Sequence, residues 1–415
     1  MKLIKNAMII SAEGFDKRDV LFDDAKILEI NESIEALDKC DVYDAKGCYL
    51  LPGLIDLNVR LANSVLSKSN LDKLSKSARK GGVTTAVILS DFTPRLDSST
   101  LLDFLKPTLD ESIINLKVTA PLTNKNSDKL NNIATLINNG ASAIWTNSNI
   151  NSNLIKRGMQ YAHMKNRPLF CFCYDPDLDD LGLVNEGKIS SKLGLSGISK
   201  FSESTEVAKV VELSIELDSA VVFQSVSTKR SLEIIDSAKR HCQNIYSEVS
   251  IHHLLKNDTS CDGFNTYAKI LPPLREEEER KKLLQALKDG QVDILTSFHS
   301  PKSVLYKDVA FWDAHFGMGS IEEFFRLAYT FLVKKEGVSF EKLMEMCSLN
   351  PAKALNLESK GKIEVGYDAD MFIFDPNHKE VIENQTTIYN HQELLGNIKE
   401  VFIARQNSIE NSREI

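Results

Sequence analysis

The sequence predicts an α/β chain: a closed (β/α)8 barrel carrying a small β-sandwich built from both chain ends. Three observations predict it. Between residues 54 and 357, amphipathic helical stretches repeatedly give way to short apolar strands, an alternation that makes a parallel sheet. Strand-and-turn runs precede this region and return after it. At the junction, the apolar run 50–56 holds Pro52-Gly53 and ends in Asp56. It reads as one buried strand carrying polar side chains to its C-terminal end, where a β/α barrel keeps its chemistry.

Residues 1–53 alternate apolar runs (3–10, 19–22, 26–30, 41–45) with polar turns such as Asp23-Asp24-Ala25, the pattern of a β-meander. Residues 71–80 have apolar spacing of helical period and stop at Gly81-Gly82, a C-cap, before the strand 83–89. The order recurs: helix 130–138 with Gly140 before strand 141–146, helix 153–165 before 168–173, and helix 231–241 before 244–249. Helix 276–289, capped by Gly290, precedes 292–297. The repeat number and span suit a closed barrel better than an open sheet. Helices 321–335 and 340–347 follow, then Asn350-Pro351-Ala352-Lys353. Gly361 to Asp370 leads into the strand 371–374, and 397–404 reads as another. The expected units are a sandwich of 1–53 plus 358–405, a barrel of 54–357, and a polar tail of 406–415 that frays. Segment 175–197, rich in Asp, Gly and Ser, reads equally as a lid remnant or a partner-binding segment.

Composition narrows the class. The 415 residues exceed the usual size of one compact domain, and 42% hydrophobic content suits a soluble chain with a sizeable core. A formal charge of −8 argues against a nucleic-acid footprint. No apolar run reaches the roughly 18 residues of a membrane span, and the start Met-Lys-Leu-Ile-Lys shows no secretory h-region. Seven cysteines without framework spacing predict reduced thiols in a cytoplasm. Cys171 and Cys173, flanking Phe172 in a strand-like run, read as buried small hydrophobes.

The stretch Pro52-Gly53-Leu54-Ile55-Asp56-Leu57-Asn58-Val59-Arg60-Leu61 resembles the first barrel strand of the amidohydrolase superfamily, in particular dihydroorotases, hydantoinases and allantoinases. Other stretches point to the dihydroorotase branch: Val226-Ser227-Thr228-Lys229, Glu248-Val249-Ser250-Ile251-His252-His253-Leu254-Leu255, Pro272-Pro273-Leu274-Arg275 and Phe316-Gly317-Met318-Gly319-Ser320-Ile321-Glu322. The run Gly366-Tyr367-Asp368-Ala369-Asp370 resembles a mark of the superfamily's split sandwich, and Asn350-Pro351-Ala352-Lys353 its closing helix. The resemblance covers nearly the whole chain and implies a TIM-like barrel with a zinc pair at the C-terminal ends of its strands.

Position by position, the ligand set that the resemblance implies is missing. The first-strand His-x-His falls on Asn58 and Arg60, a poor zinc ligand and a fixed cation. The strand-four acids fall on Thr146 and Asn147, the strand-five His on Phe172, and the strand-six His on Ser225. The strand-eight Asp, the general acid/base of the family, falls on Phe298. The substrate-clamping Arg aligns with Ala62, and two substrate-binding Asn positions with Asp91 and Leu271. None of the eight histidines (His163, His241, His252, His253, His299, His315, His378, His391) falls on a ligand position. His163 and His241 sit late in helices, where a cation suits the dipole. A new mononuclear site from His252, His299 and a carboxylate would need about three converging ligands, and nothing in the spacing brings them together. Arg60, if inside, needs an acid, and Asp56 is the expected partner.

The missing ligands predict no zinc and no other cofactor, and the charge and apolar runs predict no nucleic acid and no membrane. The resemblance implies a non-catalytic dihydroorotase homologue, expected as a homodimer, that serves aspartate carbamoyltransferase as structural or regulatory partner in pyrimidine synthesis. The alternative is a divergent cyclic-amide hydrolase with an atypical metal site. A small-molecule sensor using the old pocket has no positive support.

Overall fold

The computed structural model describes residues 1–404, apart from 12–13, 37–39, 180 and 385–386. The expected polar tail 406–415 lies outside the described residues. Eight parallel strands follow one another around a barrel: Leu54–Val59, Val83–Ile88, Asn115–Pro121, Ala143–Asn147, Leu169–Phe172, Val221–Gln224, Ile245–Ser250 and Ile294–Thr296. The ring closes between first and last, where Val59 bridges His299 and the Arg60 N–H donates to the His299 carbonyl at 2.7 Å. Strand interiors are wholly buried, as parallel strands covered by helices must be.

The helix Lys68–Lys80 shows how the sequence sets these units. Ser67 caps it, its hydroxyl accepting from the Asn70 N–H at 3.2 Å. Leu71, Leu74, Ser75 and Ala78 form the buried stripe. At Gly81 a Cβ would stand 2.1 Å from the Ile321 carbonyl oxygen, so only glycine fits. The run 50–56 is not one strand. Tyr49–Pro52 belongs to the end sheet and Leu54–Val59 to the barrel, with Gly53 at the joint, where Thr84 occupies the space a Cβ would need. Asp56 accordingly sits in the middle of the first barrel strand, below its C-terminal end.

Both chain ends join one seven-stranded sheet, ordered Glu393–Phe402, Met371–Val381, Tyr49–Pro52, Lys2–Ser11, Gly14–Phe22 and Ile27–Asn31, with Asp41–Asp44 added to Lys2–Ser11. A bulge between Ile4 and Ala7, with Asn6 at φ 56°, divides the strand Lys2–Ser11. Its first half pairs with Asp41–Asp44 and its second with Tyr49–Pro52. The sheet packs around Ile4, Val20, Phe22, Leu50, Met371 and Ile373. The Gly-x-Asp-Ala-Asp run ties the units together. Lys360 bridges Asp368 (2.9 Å) and Asp370. Asp368 also takes Lys26 (2.8 Å), and Asp370 takes the Asn115 amide of the third barrel strand and the Ala404 N–H.

The last helices depart from simple α geometry. Phe324–Leu327 continues into a π-helix, Ala328–Lys335, and Phe340–Met344 into another, Glu345–Leu349, just before Asn350–Ala354. Pro351 lacks the N–H that an α-turn would send back to Cys347, and the wider turn accommodates that loss.

Candidate functional site

Positions 56, 58 and 60 point the same way because side chains alternate along a strand. Asn58, fully buried, is the centre of a polar network inside the barrel. Its Nδ2 donates to Ser225 Oγ (2.9 Å) and Glu248 Oε2 (2.8 Å), and its Oδ1 accepts from Arg60 Nη1 (2.8 Å). Arg60 Nε donates to Asp91 Oδ2 at 2.5 Å, and its guanidinium lies 5.6 Å from the centre of the Phe298 ring. The expected Arg60–Asp56 pair is not formed. Arg60 lies just past the end of its strand and reaches to the loop after the second strand. Asp56 lies deeper, where its oxygens accept the backbone N–H groups of Asn58 (3.0 Å) and Ser297 (3.1 Å).

Glu248 is the member that the sequence argument missed. It lies in the seventh strand, fully buried, accepting from Asn58, the Ser225 N–H (3.0 Å) and the Thr296 hydroxyl, with no salt-bridge partner among the described residues. Burial pushes its carboxyl up to about 7, with hydrogen bonds opposing and nearby Asp56 assisting. Burial likewise pushes Asp56 up to about 6. The sequence signal was an acid inside a wholly buried strand, Ile245–Ser250, which demands a local partner.

The structure thus brings Asn58, Arg60, Asp91, Ser225 and Phe298 into one constellation. Thr146, Asn147 and Phe172 stand on the neighbouring fourth and fifth strands, Asn147 paired in register with Phe172. The Thr146 hydroxyl bonds to the Asn147 carbonyl, and the Phe172 ring packs 6.1 Å from Tyr174. Ala62 lies in the turn Ala62–Ser64, and Leu271 precedes Pro272; neither brings a polar side chain. Ser225 (φ 55°) and Phe298 (φ 54°) hold left-handed backbone that costs about 1–3 kcal/mol each at a non-glycine residue.

The three buried histidines are hydrogen-bonded. His299 Nδ1 accepts the N–H groups of Ser320 and Ile321. Ser320 donates its hydroxyl to the Ser297 carbonyl, so His252 Nε2 donates to Ser320 and its Nδ1 accepts from Tyr389. His253 Nε2 donates to the Pro272 carbonyl, leaving Nδ1 to accept from Ser250. Burial lowers His252 and His299 to about 3 and His253 to about 4, so all three are neutral at pH 7.

These residues do not fit the zinc pair that the resemblance implies. A guanidinium, two amides, two hydroxyls and two phenyl rings stand at the positions that the resemblance assigns to donors and the catalytic acid, and both ring nitrogens of His252 and His253 and the Nδ1 of His299 are engaged. Among the described residues no three His, Cys, Asp or Glu side chains gather as a metal site requires. Two surface clefts lie elsewhere. One of about 520 Å³ runs between the helix Lys68–Lys80 and the strand Glu393–Phe402, and one of about 370 Å³ is lined by Asn257, Glu277 and Arg280.

Comparison with known proteins agrees with this architecture. Residues 198–406 match the amidohydrolase family model, and residues 47–231 the dihydro-orotase-like model. A dihydroorotase of Ruminiclostridium cellulolyticum is 35% identical over 384 residues, covering 91% of this chain and 89% of that protein. One of Elusimicrobium minutum is 33% identical over 426 residues, covering 99% and 98%. Among solved structures, an L-hydantoinase from Arthrobacter aurescens superposes with a TM-score of 0.86 at 18% identity, covering 98% of this chain and 96% of the other. On a family model matching half of the chain, and on relatives this similar over their whole length, the protein belongs to the dihydroorotase-like amidohydrolases.

Proposed function

We propose that this protein is a non-catalytic dihydroorotase homologue in pyrimidine biosynthesis, a cytoplasmic homodimer that serves aspartate carbamoyltransferase as structural or regulatory partner. The observation that carries the reading is Arg60. A permanent cation, fixed by Asp91 and Asn58, stands at a metal-ligand position of the family and repels the ion that position would hold. Next to it Asn58, Ser225 and Glu248 bond one another, with Asp91 Oδ1 left without a hydrogen bond, so this part of the interior resembles a core network more than a site awaiting a ligand. A scaffold needs the fold and its surface but no metal-bound water, which fits motifs retained outside the barrel mouth and replaced inside it. The decisive experiment is light-scattering chromatography of the protein mixed with aspartate carbamoyltransferase from the same organism. Co-elution at fixed stoichiometry is expected; separate elution at micromolar concentrations would sink the proposal.

A second reading has specific support. The relatives quoted above are named dihydroorotase, and Glu248 and Asp56 have carboxyls raised into the range useful for proton transfer near neutrality. On that reading the chain opens a cyclic amide with an atypical centre. Dihydroorotate turnover that is lost in Glu248→Gln would establish it and remove the non-catalytic one.

A further inference from the structure

The segment after the eighth strand, with Phe264 from the segment after the seventh, exposes several large apolar side chains. Leu305 is 83% exposed, Trp312 56%, Val304 52% and Phe264 50%, with Tyr306 and Val309 beside them. The crest is held on a built platform. Lys269 Nζ donates to the Phe311 (2.7 Å) and Trp312 (3.2 Å) carbonyls and lies over the Phe311 and Phe316 rings. Lys307 Nζ donates to the Thr266 (2.9 Å) and Lys269 (3.3 Å) carbonyls, while the Thr266 hydroxyl donates back to the Lys307 carbonyl at 2.6 Å. Both lysines are 2% exposed, and among the described residues neither has a carboxylate within ion-pair distance. Burying two ammonium groups without acids is costly. The arrangement holds a loop rigid whose tip then faces water with leucine and tryptophan.

We propose that this crest, Phe264 with Val304, Leu305, Tyr306, Val309 and Trp312, is the docking surface for a different protein, one offering an apolar cleft rimmed by basic side chains. The inference rests on the reading that the chain works with a protein partner. Side chains of this size and exposure present on the order of 600 Å² of apolar surface. That is at the upper end for the largest patch on a monomer and most of the ~800 Å² per side of a stable complex. Charge decides the occupant. Asp308 and Asp313 are exposed within the same loop, while its lysines are covered: Lys307 is buried, and Lys302 is half-buried with its Nζ donating to the Ser64 hydroxyl. A second copy docking crest to crest would bring like charges together, whereas a basic rim complements them.

The test compares the full-length chain with a Leu305→Asp/Trp312→Ala variant and with Phe104→Ala, a control on the helix Ser99–Asp110 that is also largely exposed. Each is titrated against aspartate carbamoyltransferase and weighed alone by light scattering. The expected result is binding by wild type and Phe104→Ala, with the crest variant weaker by roughly tenfold or more. If wild type and crest variant bind alike, or Phe104→Ala weakens binding as much, the docking surface is wrong while the partnership stands. If wild type does not bind, partnership and surface both fall. If wild type alone is a dimer that the crest variant splits, the occupant is a second copy and the proposal is overturned.

Discussion

Asn58 uses three of its four hydrogen-bonding positions inside the barrel, two as donor and one as acceptor, which makes it the residue whose loss exposes most. Asn58→Ala would leave Glu248 short of a donor and Arg60 short of an acceptor, both in a desolvated interior. A loss of about 3 kcal/mol is expected, read as a lowered denaturant midpoint with an unchanged slope. Glu248 and Asp56 add a pH dependence. Both folded values, about 7 and about 6, lie above those of an unfolded carboxyl. The folded state therefore binds protons more tightly, and this contribution is complete below about pH 4 and lost as pH rises through 6 to 7. The decline approaches roughly 3 kcal/mol per group as an upper bound. Glu248→Gln keeps an acceptor toward Asn58 and Ser225, and its amide can donate to the Thr296 hydroxyl once that hydroxyl, which donates to Glu248, turns to accept. Its stability should vary less between pH 5 and pH 8 than that of wild type; equal slopes in chemical denaturation would refute the assignment.

Among the elements, the closure between chain ends and barrel depends on Lys360. Its side chain is 10% exposed between Asp368 and Asp370. Lys360→Met would leave Asp370 buried without its cation and Asp368 with Lys26 alone, at about 3–5 kcal/mol, and should open the end sheet to limited proteolysis. Lys26→Met, which removes an ammonium 42% exposed, should cost under about 1 kcal/mol. Reversal of that order would mean that Lys26 holds the joint. The barrel was legible in the sequence because much of its code is local: the apolar stripe of 71–80 and the Gly81-Gly82 stop mark a helix within one short stretch. The break at Gly53 was hidden because it depends on Thr84, thirty positions on and in the next strand. The candidate site divides similarly. Residue types at positions 58, 60, 172, 225 and 298 could be read directly, but pairings could not. Arg60 was assigned to the nearest acid along the chain, and Glu248, which needs contacts from the first, sixth and eighth strands, carried no local mark as a partner.

For the whole molecule, the question is whether anything bound in the barrel contributes to its stability. A protein whose fold is linked to a tightly held ion gains RT ln(1 + [L]/Kd), about 4 kcal/mol when the ion is a thousandfold above its Kd, and loses it to a chelator. This barrel has a different source of interior cohesion. The space between the first, sixth, seventh and eighth strands is spanned by Asn58, Ser225, Glu248 and Thr296, whose bonds are made within the chain. Arg60 adds a charge that opposes an incoming cation, and Phe298 packs against His252 and His253. If the barrel holds no ion, as proposed, prolonged treatment with EDTA should move the thermal midpoint by no more than about 1 °C, and excess zinc should not raise it. Aspartate carbamoyltransferase, if it is the partner, should raise the midpoint in a concentration-dependent way by the same linkage. A fall of several degrees in EDTA, reversed by zinc, would show that the barrel holds an ion and would favour the catalytic reading over the proposed one.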